Sequence, residues 1–80
     1  MIRTIIIDDE KNARVTLRSL LDNFSAKVQV VGEASNLETA IELIQRSSPD
    51  LIFLDIQLKK ATGFDLLQSL PNLKAEVIFR

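Results

Sequence analysis

The chain contains no cysteine and no histidine. The first absence excludes disulfide staples, thiolate metal sites and a cysteine nucleophile, and fits a reducing compartment. The second removes the imidazole base, any histidine-containing triad and zinc–histidine centres, so acid–base or metal chemistry has to come from carboxylates. No apolar run approaches the roughly 20 residues of a membrane-spanning helix. The amino terminus reads as a strand with acids at Asp8, Asp9 and Glu10, not as a leader segment. The expected location is therefore cytoplasmic, with no membrane partner. Charge of one sign is lacking as well: 10 basic residues stand against 11 acidic ones, a net charge of −1, which gives no reason to expect direct nucleic acid contact. Repeats, low-complexity tracts and linkers are missing too, so residues 1–80 are expected to form a single domain.

What is present is ordinary for a globular protein: 46% hydrophobic and 26% charged residues. A chain of 80 residues buries only about 60–65% of its unfolded surface, so the core is modest. Met1 to Ile7 is a β-branched run, apolar on successive positions as in a strand buried on both faces. From Lys11 to Phe24, residues Ala13, Leu17, Leu20, Leu21 and Phe24 recur at helical spacing and predict one stripe facing a sheet. Lys27 to Ala34 alternates and is rich in valine, predicting a second strand nearer an edge. Ser35-Asn36-Leu37-Glu38 has the form of a capping box, followed by Leu37, Ala40, Ile41 and Ile44 on one helical face to about Arg46. Ser47-Ser48-Pro49-Asp50 breaks that pattern before the apolar run Leu51 to Leu54. Gly63 opens a short helix that turns Phe64, Leu66, Leu67 and Leu70 inward and stops at Pro71, and Val77 to Phe79 begins a fourth strand. The order βαβαβαβ with short connections predicts an α/β, doubly wound parallel sheet with right-handed crossovers.

Two of these strands end in acids. Asp8 and Asp9 close Ile5-Ile6-Ile7, and Asp55 closes Leu51-Ile52-Phe53-Leu54. Strands paired side by side lie about 4.8 Å apart, which brings the acids together at the carboxyl edge, where open α/β sheets place their sites. At an effective dielectric near 20, two like charges about 4 Å apart repel by roughly 4 kcal/mol. Such a cluster needs a cation or a proton, and a hard cation such as Mg²⁺ suits it. Taken singly, Asp8-Asp9-Glu10 would more often be acids at a helix amino terminus, and Asp55 a strand-end turn residue; together at two strand ends they read as a site.

The runs IIIDDE (5–10), PDLIFLDIQL (49–58) and GFDLL (63–67) strongly resemble the receiver domain of bacterial two-component response regulators. The stretch VVGEASNLETAIELI (30–44) looks most like receivers of the LytTR (LytR/AlgR) type. The resemblance implies a flavodoxin-like fold with strand order 2-1-3-4, incomplete because the chain stops within the fourth strand. It makes Asp55 the phosphoacceptor, taking a phosphoryl group from a histidine kinase or a small phosphodonor. Asp9 and Asp55 would bind Mg²⁺ directly, with the backbone carbonyl of Gln57 as a third ligand and Asp8 acting through a water. Asn12, Thr16 and Ser19, a polar stripe on helix one, fall where the family docks its kinase; solvated surface is the simpler reading.

A LytTR-type parent implies a DNA-binding output domain that controls transcription. Lys59 stands where the family usually has Pro, which is expected to loosen the loop. The family's switch Thr or Ser and its fifth-strand lysine have no counterpart up to Arg80. An alternative expectation is therefore a phosphorylation-incompetent fragment, or a strand-swapped homo-oligomer joined through the fourth strand and an uncovered sheet face. A phosphohydrolase of the haloacid dehalogenase type ranks lower. Those enzymes carry a second Asp two residues after the nucleophile, where this chain has Gln57.

Overall fold

The computed structural model describes residues 1–24, 26–55, 68 and 70–79. Its elements are β1 (Ile2–Ile7), α1 (Lys11–Asp22), β2 (Val28–Ala34), α2 (Leu37–Ser47), β3 (Leu51–Leu54) and β4 (Glu76–Phe79). All strand pairs are parallel, in the order β2-β1-β3-β4. The expected βαβ winding and strand order are thus present, with β2 at an edge. Of the third helix expected after Gly63, Gln68 is helical and Leu70 packs against the core as expected; its remaining residues from Gly63 on, the Gln57 carbonyl, the loop lysines Lys59 and Lys60, and Arg80 lie outside the described residues.

β1 is central because Thr4 to Ile7 is buried on both faces, as its unbroken apolar run requires. On one face Ile5, Ile7, Ala34, Ile52 and Leu54 pack with Ala40, Leu43 and Ile44 of α2. The helical period places Leu43 in this cluster beside the expected Ala40 and Ile44; Leu37 and Ile41 pack at its margin. The register between β1 and β2 slips between Thr4 and Ile5, so that Ile5 faces Gly32. A Cβ at Gly32 would lie 2.8 and 2.9 Å from the Leu43 methyls and 3.3 Å from Leu43 Cγ, so glycine here lets α2 sit against the sheet.

Two boundaries differ from the sequence expectation. The amino-terminal cap of α2 is Asn36, whose Oδ1 accepts the Thr39 N–H at 2.8 Å, rather than Ser35 of the apparent capping box. α1 ends at Asp22, not Phe24, and its apolar residues do not all turn inward. Leu17 is buried and Ala13 and Leu21 are half-buried, whereas Leu20 is 54% and Phe24 59% exposed. Polar ties supplement the packing here: Arg14 and Arg18 of α1 both pair with Glu33 of β2.

At the opposite end of the sheet, Arg3 Nη2 donates to the Ser47 carbonyl at 2.8 Å, answering one of the carbonyls left open at the end of α2. The Arg3 N–H donates to Asp50 Oδ2 at 2.9 Å, clipping β1 to the start of β3. Ser48, the carboxyl cap of α2, sits at φ 48°, the left-handed region that favours glycine.

Candidate metal and phosphoryl site

The site is built by the two strands that the sequence ends in acids. β1 and β3 are neighbours in register Ile7↔Leu54, so Asp8 and Asp55 leave the sheet side by side. The Asp55 N–H donates to the Ile7 carbonyl at 2.9 Å, and the Asp8 N–H to the Ala34 carbonyl at 3.0 Å. These bonds continue the ladders one residue past the strand ends, holding the backbone under both acids. One carboxylate oxygen from each of Asp8, Asp9 and Asp55 lies within 4.8 Å of the others. Asp8 is buried and the other two are half-buried.

Asp8 carries further constraints. Its Oδ1 accepts the Glu10 N–H at 2.9 Å, and its carbonyl accepts from Arg14 Nη1 at 2.7 Å. Glu10 is the amino-terminal cap residue of α1 and makes no side-chain cap; the acids precede the helix instead of forming its first turn. Asn12, Thr16 and Ser19 are all exposed on α1.

The donor set fits a small hard cation. Mg²⁺ takes oxygen ligands at about 2.0–2.1 Å in an octahedron, which puts adjacent ligand oxygens about 3 Å apart and opposite ones about 4 Å apart. The oxygens of Asp8, Asp9 and Asp55, within 4.8 Å of one another, are close enough to share one such ion, directly or through its waters. No imidazole or thiolate ligand competes, since the chain lacks His and Cys.

Arg14 is the residue the sequence reading passed over. Its signal was its place four residues after Glu10: helical side chains tilt toward the amino terminus, so a long cation one turn into α1 reaches back over Asp8.

Comparison with known proteins agrees with this architecture. Residues 4–79 match the response regulator receiver domain. The sensory transduction protein LytT of Bacillus cereus is 39% identical over 74 residues, 92% of this chain and 30% of LytT. An uncharacterized response regulatory protein of Vibrio parahaemolyticus is 42% identical over 80 residues, 99% of this chain and 33% of that protein. The chain therefore spans about a third of the length of the curated relatives it matches. Among solved structures, the response regulator domain of Thermotoga maritima CheB superposes with a TM-score of 0.87 at 28% identity, covering 99% of this chain and 59% of that one. The receiver domain of NarL from Mycobacterium tuberculosis gives 0.85 at 29% identity, covering 98% and 64%. Receiver domains are signalling domains that bind Mg²⁺ at an acidic pocket, and response regulators are phosphorylated by histidine kinases. The flavodoxin-like sheet, the family match over nearly its whole length and its LytT relatives make this chain a member of the response regulator receiver domain family.

Proposed function

We propose that this receiver accepts a phosphoryl group on Asp55 from a histidine kinase, with Mg²⁺ held by Asp9 and Asp55. The observation that carries the reading is the meeting of the Asp8, Asp9 and Asp55 oxygens within 4.8 Å at the carboxyl edge of two adjacent parallel strands. Asp55 Oδ attacks phosphorus, the bond from phosphorus to the donor nitrogen or oxygen breaks with its electron pair leaving on the donor, and an aspartyl phosphate forms. Bound Mg²⁺ supplies the charge neutralisation that phosphoryl transfer between anions requires. Asp8 has one oxygen engaged by the Glu10 N–H, which suits it to act through a water. Gln57, next in the chain after Ile56, contributes its carbonyl in this reading. Asn12, Thr16 and Ser19, exposed on α1, offer the polar surface on which the kinase docks. Within a longer regulator of the LytTR type, the phosphorylated receiver controls a DNA-binding output domain.

The test is incubation with Mg²⁺ and acetyl phosphate, read by intact-mass spectrometry. One added phosphoryl group in the wild type, lost in Asp55→Asn, is the expected result. No adduct on a chain still folded by circular dichroism refutes phosphoacceptor function for it.

A second reading is self-association. β4 has β3 as its one neighbour among the described strands, and its Ile78 and Phe79 are 44% and 48% exposed. Light scattering that gives the mass of one chain across concentrations would eliminate it.

A further inference from the structure

Receiver acids are named for their side chains, but the Asp8–Asp9 peptide has its own support here. The Arg14 guanidinium uses two different nitrogens at once: Nη1 donates to the Asp8 carbonyl at 2.7 Å, and Nε to Glu33 Oε1 at 3.3 Å. Its side chain is only 17% exposed, and Glu33 is itself shared with Arg18. Glu33 belongs to β2, which is paired to β1, so the guanidinium is braced against the sheet before it reaches the loop.

The consequences follow from peptide planarity. The Asp8 carbonyl, the Asp9 N–H and the Asp9 Cα lie in one plane. With the Asp8 N–H fixed on the Ala34 carbonyl and the Asp8 carbonyl fixed on Arg14, the backbone of Asp8 is held at both ends. The placement of Asp9 Cα is then set, and with it the origin from which the Asp9 carboxylate reaches the cluster. The Glu10 N–H on Asp8 Oδ1 holds the other side of the same turn. Asp8 and Asp55 leave the sheet directly at strand ends, whereas Asp9 lies one residue further out and depends on this turn.

We infer that Arg14, braced by Glu33, is a positioning residue that orients the Asp8–Asp9 peptide and so delivers the Asp9 carboxylate to the Mg²⁺ site. This rests on the reading of the acid cluster as a Mg²⁺ site. Its sign separates it from plain electrostatics. Removing a cation from beside a dication site tightens metal binding by charge alone, whereas losing a group that orients a ligand weakens it, typically by about 10- to 100-fold.

The experiment is calorimetric titration of Mg²⁺ into wild type, Arg14→Gln, Arg14→Lys and Arg46→Gln. Arg46 serves as a control because its pair with Glu42 is exposed and belongs to α2. Amide NMR spectra in EDTA establish that each variant is folded. The expected result is about 10-fold weaker affinity in Arg14→Gln, partial recovery in Arg14→Lys, which keeps one donor nitrogen but not the fork, and no change in Arg46→Gln. In EDTA, the Asp9 amide resonance should move in Arg14→Gln while that of Leu54 stays. Unchanged or tighter binding in Arg14→Gln, with wild type binding normally, overturns the inference and leaves the Mg²⁺ site standing. Absence of binding in the wild type overturns both. If Arg14→Gln does not fold, Arg14→Lys carries the test, and wild-type affinity and an unmoved Asp9 amide in that variant would overturn it.

Discussion

The two faces of the sheet are held by different physics. Toward α2, Ile5, Ile7, Ala34, Ala40, Leu43, Ile44, Ile52 and Leu54 form a continuous cluster, none more than 7% exposed. Toward α1, Thr4, Ile6 and Leu17 are buried, but Val15, Leu20 and Phe24 of the helix and its following turn, and Ile78 of β4, remain in contact with solvent. Arg14 and Arg18 tie that helix to Glu33. The first face is locked by shape and area removed from water. Among the described residues, the second combines a smaller core with polar bonds, one of which, from Arg14, ends on the Asp8 carbonyl beside the acids. The apolar face thus supplies most of the stability, and the face with fewer buried apolar side chains among the described residues carries the connection to the site.

Substitutions should sort accordingly. Ile44→Ala, in the middle of the α2 cluster, is expected to cost about 3 kcal/mol in chemical denaturation; a loss under about 1 kcal/mol would mean that this face is not the main core. Gly32→Ala forces the Leu43 side chain to give way and should destabilise by about 1–2 kcal/mol, with Leu43→Ala in the same chain removing most of the clash term when the two are combined in a double-mutant cycle.

On the other face, Glu33→Gln releases both arginines and should cost about 1 kcal/mol. Its effect should shrink between low and high salt, while that of Ile44→Ala does not. A salt-independent loss at Glu33 would show that packing, not charge, holds α1. Ser48→Gly relieves the left-handed cap and is expected to raise stability by about 0.5 kcal/mol. Leu20→Gln, at an exposed apolar site, should leave unfolding within about 0.5 kcal/mol of wild type and reduce any self-association seen by light scattering.

Much of this arrangement is legible in the sequence. β1 and β3 are legible from the apolar runs Ile5 to Ile7 and Leu51 to Leu54, and their closing acids mark the carboxyl edge. α2 was legible from Ala40, Ile41 and Ile44, although its cap falls on Asn36 instead of Ser35, since either polar side chain can serve there and chain entry from β2 decides. α1 was read less well. Its period gave a direction around the helix, but the width of the buried stripe depends on how far the sheet extends beneath it, so Leu20 and Phe24 were assigned inward when they face out. Gly32 against Leu43 depended on a one-residue register slip that no local pattern records.

The order of strands and helices and the identity of the three acids belong to the linear chain, because periodicity and strand-end chemistry are local properties. That Ile7 lies beside Leu54, that three carboxylates therefore share a space under 5 Å across, and that Arg14 reaches both Glu33 and the Asp8 carbonyl were decided by the tertiary structure. Strand pairing and the seating of α1 join residues 19 and 47 positions apart, between Arg14 and Glu33 and between Arg3 and Asp50. Contacts of that span follow from burying the whole sheet at once, not from any neighbouring residue.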